Sequence, residues 1–124
     1  SLERIDRMAA FIMESNAPKI MMDHHIDPEP FADLVFSIET TSSTSEIVYD
    51  IITELGYKSN ISELMIDCIY TGIMTDTGSF HHATSPKLFK ILAELKAEGL
   101  NDTRIQELVN KCCIAFTDKF NPHA

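Results

Sequence analysis

Apolar residues recur along this chain in two rhythms, and the changes of rhythm mark its elements. Leu2, Ile5, Met8, Ala9 and Ile12 fall three and four apart, which predicts an amphipathic helix over 2–14 with charged residues on its other face. Lys19-Ile20-Met21-Met22 is instead a short continuous apolar run, expected as a buried strand over 19–23. The prolines of Asp27-Pro28-Glu29-Pro30 forbid regular structure there, and Leu34 to Ile38 reads as a second strand. Ser43 and Glu46 form a capping-box pattern ahead of Ile47, Val48, Ile51, Ile52 and Leu55, and Gly56 supplies a left-handed stop. Asn60 and Glu63 open a further helix to about Met74. Ser85-Pro86 opens another, which carries Leu88, Phe89, Ile91, Leu92 and Leu95 and stops at Gly99. A last amphipathic helix, capped at Asn101, holds Ile105, Leu108 and Val109.

Strands alternating with helices predict an α/β fold, with three layers, a mostly parallel sheet, crossover helices and helices on both faces. Strand order is beyond the sequence. With 124 residues, 44% of them hydrophobic, the chain can build one domain with a real core. The ordered unit is expected over 1–111, and 112–124 is a tail whose structure the pattern does not define. No apolar run reaches the roughly 18 residues a membrane span needs, and no basic-then-apolar start precedes a cleavage site, so a cytoplasmic protein without membrane contact is expected. Three cysteines, two of them adjacent at Cys112-Cys113, are a poor basis for a disulfide framework, and Cys68 reads as a buried apolar residue of its helix. Met8, Met13, Met21, Met22, Met65 and Met74 read as core filling. The net charge of −9 argues against a surface that grips nucleic acid by its phosphates. Divalent cations would reverse that sign locally and make a carboxylate cluster a phosphate receptor.

Two segments carry hard-metal ligands. Asp23-His24-His25 emerges directly after the first predicted strand, at the end where open α/β sheets build their sites. Asp76-Thr77-Gly78-Ser79-Phe80 follows an apolar helix, with Asp76 expected on the loop that leaves it. Without Asp76, the two histidines would read as polar loop residues. With it, ligation of one ion is favoured if folding brings the segments together. His81-His82 is expected in surface or packing roles. Ser42, Ser43, Thr44 and Ser45 lie at a helix N-terminus, where backbone N–H groups can hold a phosphate, although capping fully explains Ser43 and Glu46. Asp67 is either a satisfied buried carboxylate or the polar face of its helix.

Together, Asp23-His24-His25 and Asp76-Thr77-Gly78-Ser79-Phe80 resemble the third and fourth motifs of the DHH phosphoesterases. The surrounding text, including Thr41-Ser42-Ser43-Thr44-Ser45-Glu46 and Thr71-Gly72-Ile73-Met74-Thr75, is similar to the bacterial oligoribonuclease/pAp phosphatase branch of that superfamily. The resemblance runs from about Leu2 to Gly99 and makes 1–111 the central and C-terminal part of a DHH domain. The family's first two motifs and its C-terminal substrate domain are not found in the chain.

The resemblance implies a Mn²⁺-dependent phosphoesterase, with Mg²⁺ or Co²⁺ as substitutes, acting on short RNA or 3′-phosphoadenosine 5′-phosphate through a water activated by two metals. It implies that His24 and Asp76 ligate one ion, that His25 faces the substrate phosphate, and that Asp23 orients a histidine. Exopolyphosphatase and cyclic-dinucleotide phosphodiesterase are the alternatives within the superfamily; a non-catalytic nucleotide- or metal-binding domain is the alternative outside catalysis. Because one metal's ligands are wholly missing and the other's shell is incomplete, the isolated chain is expected to be inactive. Apolar surface left where missing strands would pack makes a homodimer a further expectation.

Overall fold

The computed structural model describes residues 5–120, and side chains as far as residue 113. Its elements are α1 (Met8–Glu14), β1 (Ile20–Asp23), β2 (Leu34–Ser37), α2 (Thr44–Glu54), α3 (Glu63–Asp76), α4 (Pro86–Ala97) and α5 (Asp102–Phe120), with a short 3-10 turn at Lys58–Asn60 before α3. The chain is α/β. β1 and β2 are parallel, in the register Ile20↔Leu34, Met21↔Val35, Met22↔Phe36 and Asp23↔Ser37. No helix makes this parallel connection. Residues 24–33 return in bends around Pro28 and Pro30, and Lys19 ties the return: its N–H donates to Asp33 Oδ2 at 2.7 Å and its carbonyl accepts from Asp33 N at 2.9 Å.

Local chemistry sets most helix ends where the pattern places them. Ser43 Oγ accepts from Glu46 N at 3.2 Å, and the Glu46 carboxylate reaches back to Ser42, accepting from its N–H at 2.8 Å and its hydroxyl at 2.7 Å. Gly56 at φ 79° closes α2. Ser85 caps α4 through Leu88 N, with Pro86 as the first helical residue.

Three boundaries differ from expectation. α1 begins at Met8 because Asp6, at φ 45°, cannot continue a right-handed helix; the expected residues 2–4 lie outside the described ones. Ser62, not Asn60, caps α3, since Ser62 has the extended backbone of a cap and its oxygen accepts from Met65 N at 3.3 Å. Residues 112–120 of the expected tail continue α5, and 121–124 lie outside the described residues.

The core lies among the helices rather than on the sheet. Tyr49, Ile66, Ile69, Tyr70, Ile73, Met74, Leu88, Ile91, Leu95, Leu100 and Ile105 pack into one cluster from α2 to α5. β1 is not the buried strand its apolar run predicts: Ile20 is 60% exposed, because among the described residues the sheet has only two strands. For the same reason methionine does not serve as core filling throughout. Met74 is buried, whereas Met8, Met13 and Met65 are exposed. Cys68 also lies on an exposed face of α3, and Asp67 beside it pairs with Arg104 of α5. No helix among the described residues is long and apolar enough to cross a membrane.

α2 and α3 approach closely at one glycine. A Cβ on Gly72 would lie 2.0 Å from Ser45 Oγ and 2.9 Å from Ser45 Cβ, so only glycine admits the present separation.

Candidate metal centre

The β1–β2 pairing ends where the first motif begins. Asp23 is the last residue of β1, and its carbonyl accepts from Ile38 N at 3.1 Å, which holds the Asp23-His24-His25 turn against the end of β2. The Asp23 carboxylate folds over this turn. It accepts from His25 Nδ1 at 2.6 Å and from His25 N at 3.1 Å. Burial pushes the Asp23 carboxyl upward, but the hydrogen bonds from the His25 ring and backbone outweigh it and hold the group below the usual aspartate range. The histidine oriented by Asp23 is therefore His25.

Asp76 arrives from the helical core. Rather than leaving on a loop, it is the last residue of α3, and Thr77 follows as the C-cap. Thr75 and Thr77 donate their hydroxyls back to the carbonyls of Thr71 (2.9 Å) and Ile73 (2.8 Å), within the last turn of the helix. The break comes at Gly78, Ser79 and Phe80, which are left-handed in succession at φ 56°, 57° and 67°. For Ser79 and Phe80 this conformation costs about 1–2 kcal/mol each. Hydrogen bonds hold it: Ser79 N donates to Met74 O at 2.8 Å, and Phe80 N donates at 3.0 Å to the hydroxyl of Thr77, which is fully buried. His81 donates Nδ1–H to Gly78 O, and His82 donates Nε2–H to Asp76 O.

The two motifs meet. His24 Nε2 lies 3.5 Å from Asp76 Oδ2, beyond the usual 2.7–3.2 Å of a hydrogen bond. Donors that share one divalent ion sit about 2.1 Å from it and so at most roughly 4.2 Å apart, and the observed separation falls inside that limit. An imidazole nitrogen and a carboxylate oxygen are a donor set that Mn²⁺, Mg²⁺ and Co²⁺ accept. The His24 and His25 rings adjoin, with centroids 4.3 Å apart. Among the described residues no group of three or more His, Cys, Asp or Glu is placed to hold a metal, so His24 and Asp76 would supply only part of a metal's ligands. Ser42 and Ser43 are buried and form the capping box with Glu46.

Sequence reasoning passed over Thr77 and assigned His82 only to surface or packing. Gly78 carried a signal for both, since a glycine just past a helix marks a turn that its neighbours must hold.

Known proteins resemble this chain in both sequence and fold. The profile described as "DHH family, N-terminal domain" matches residues 3–73. The chain belongs to the DHH family. This DHH chain is 35% identical over 97 residues to the bifunctional oligoribonuclease and PAP phosphatase of Bacillus subtilis, a match covering 75% of the chain and 29% of that protein. It is 30% identical over 95 residues to the cyclic-di-AMP phosphodiesterase of Geobacillus thermodenitrificans, covering 74% and 14% respectively. Among solved structures, an exopolyphosphatase-related protein from Bacteroides fragilis superposes with a TM-score of 0.82 at 42% identity, covering 85% of this chain and 31% of that one. The DHH chain thus spans under a third of the length of each of these relatives, and the two curated ones are named for the hydrolysis of phosphoesters.

Proposed function

We propose that this DHH chain is the part of a Mn²⁺-dependent phosphoesterase that holds one metal ion through His24 and Asp76 and presents His25 to the substrate phosphate. The observation that carries the reading is the 3.5 Å approach of His24 Nε2 and Asp76 Oδ2, too long for a direct hydrogen bond and short enough for a shared ion. When bound, such an ion supplies charge neutralisation at the phosphoryl oxygens and a lowered pKa for water. The remaining chemistry is the chain's own. Asp23 binds the His25 ring at Nδ1 and so fixes its orientation, which lets the ring be presented to a phosphate oxygen.

The substrates are short oligoribonucleotides and 3′-phosphoadenosine 5′-phosphate, as the name of the Bacillus relative suggests. Polyphosphate is the second reading, favoured by the 42% identity to the exopolyphosphatase-related protein; a cyclic dinucleotide is a third, from the name of the Geobacillus relative. Because His24 and Asp76 do not complete a metal shell among the described residues, the isolated chain binds the ion weakly and does not turn substrate over.

The test is an NMR titration of the purified chain with Mn²⁺, whose paramagnetism reports even a weak site. Signals of residues around His24 and Asp76 should broaden first, and this selectivity should vanish in His24→Ala and in Asp76→Asn. Broadening elsewhere, or the same pattern in both variants, refutes the metal assignment. Turnover of a short oligoribonucleotide by the isolated chain, abolished by His24→Ala, refutes the predicted inactivity.

A further inference from the structure

We propose that His82 is a positioning residue for Asp76, an inference that rests on Asp76 serving as a metal ligand. The carbonyl of Asp76 lies at the C-terminus of α3, where helix carbonyls have no following N–H to accept. The His82 ring supplies the donor: Nε2–H reaches Asp76 O at 3.1 Å from the far side of the turn.

The ring can lie there only because residue 78 is glycine. A Cβ on Gly78 would stand 2.6 Å from His82 Cε1 and 3.1 Å from His82 Nδ1, so the imidazole packs directly on the backbone between its own attachment and Asp76. The backbone N–H of His82 also donates to Thr77 O at 3.2 Å, which anchors the same residue at a second point. Other bonds of the turn act one or more residues away from the ligand. Ser79 N grips Met74, Phe80 N grips Thr77, and the His81 ring grips Gly78. Among these, the His82 ring is the contact made to Asp76 itself.

Thr77 N donates to Ile73 O at 3.0 Å and so holds the N–H edge of the Asp76–Thr77 peptide plane; the His82 ring holds its carbonyl edge, and the two together set the plane from which the Asp76 side chain faces His24. His82 need not touch the metal or the substrate. Its function is to keep Asp76 from rotating away once α3 has ended, in the way that outer partners of metal ligands usually hold them.

The experiment uses the full 124-residue chain and Mn²⁺ alone, read as the Mn²⁺ concentration that half-broadens the His24 signals, with urea midpoints measured alongside. His82→Ala should raise that concentration about tenfold, the low end of what losing an outer partner of a ligand costs, with the urea midpoint unchanged. His82→Gln, whose amide N–H can reach the same carbonyl, should restore most of the affinity. Half-broadening within about twofold of wild type in His82→Ala, while Asp76→Asn abolishes the effect, overturns the positioning role and leaves the metal assignment standing. Equal loss in His82→Ala and His82→Gln together with a lowered midpoint assigns His82 a purely structural role and also overturns the proposal. If Asp76→Asn itself broadens like wild type, the metal assignment fails, and the role of His82 falls with it.

Discussion

Gly72→Ala tests how tightly the helix that carries Asp76 is held against α2. In an isolated helix this change should stabilise, because alanine is favoured over glycine by about 1 kcal/mol in a helix interior. Here the new Cβ meets Ser45. The Ser45 hydroxyl, 2.0 Å away, can rotate aside, but Ser45 Cβ at 2.9 Å cannot move without its backbone. Forcing helices apart in a packed region costs about 1–3 kcal/mol. Gly72→Ala should therefore lower stability by about 0–2 kcal/mol, the difference between overpacking and propensity. Removing the obstacle should reverse the sign. In a Ser45→Gly background, Gly72→Ala should raise stability by about 1 kcal/mol relative to Ser45→Gly alone. Urea unfolding followed by far-UV circular dichroism would measure both steps of the cycle, with unchanged m-values showing that only stability has moved. A Gly72→Ala effect of the same sign and size in both backgrounds would show that the two helices do not touch at Ser45.

Two further perturbations address the turn and the charge network. Thr77→Val keeps the shape of a fully buried side chain but leaves Phe80 N–H without its acceptor, and should cost about 1–3 kcal/mol in the same unfolding assay; a loss below about 0.5 kcal/mol would mean that Thr77 does not hold the turn. Glu94 accepts from Lys58 Nζ at 2.6 Å and from Tyr49 Oη at 2.6 Å, and these bonds hold its carboxyl below the usual glutamate value. A carboxylate depressed in the folded state contributes stability above its unfolded pKa of about 4.3 and loses that contribution as pH falls through its folded value. Glu94→Gln should flatten the acid limb of stability against pH below about 5, and an unchanged limb would remove Glu94 from the account.

Much of the fold was legible because its signals are local. Ser43 with Glu46, Ser85 with Pro86, and the glycines at 56 and 99 each set a helix boundary through backbone hydrogen bonds or φ within a few residues, and the structure keeps those boundaries. Where a local signal had competition, it misled. Asn60 resembles a cap as well as Ser62 does, and which of them caps depends on the 3-10 turn at Lys58–Asn60 that precedes α3. The apolar runs misled for a different reason. An apolar strand or an exposed methionine carries the same letters whether or not neighbouring strands cover it, and Ile20 is open because β1 pairs with β2 alone among the described residues.

From its residues alone the chain disclosed which side chains could bind a metal, since imidazoles and a carboxylate in motifs of this kind are a matter of covalent identity. Their meeting was a property of the folded molecule. Asp23-His24-His25 and Asp76 lie on separate segments, one at the end of a strand and one at the end of a helix, and only the packing of α2 between β1 and α3 brings His24 and Asp76 within 3.5 Å. The bonds of Asp23 to His25 and of His82 to Asp76 are local by contrast, two and six residues apart, and follow from the turn each segment makes. Distances between residues far apart in sequence depend on tertiary packing, which no short stretch of sequence encodes.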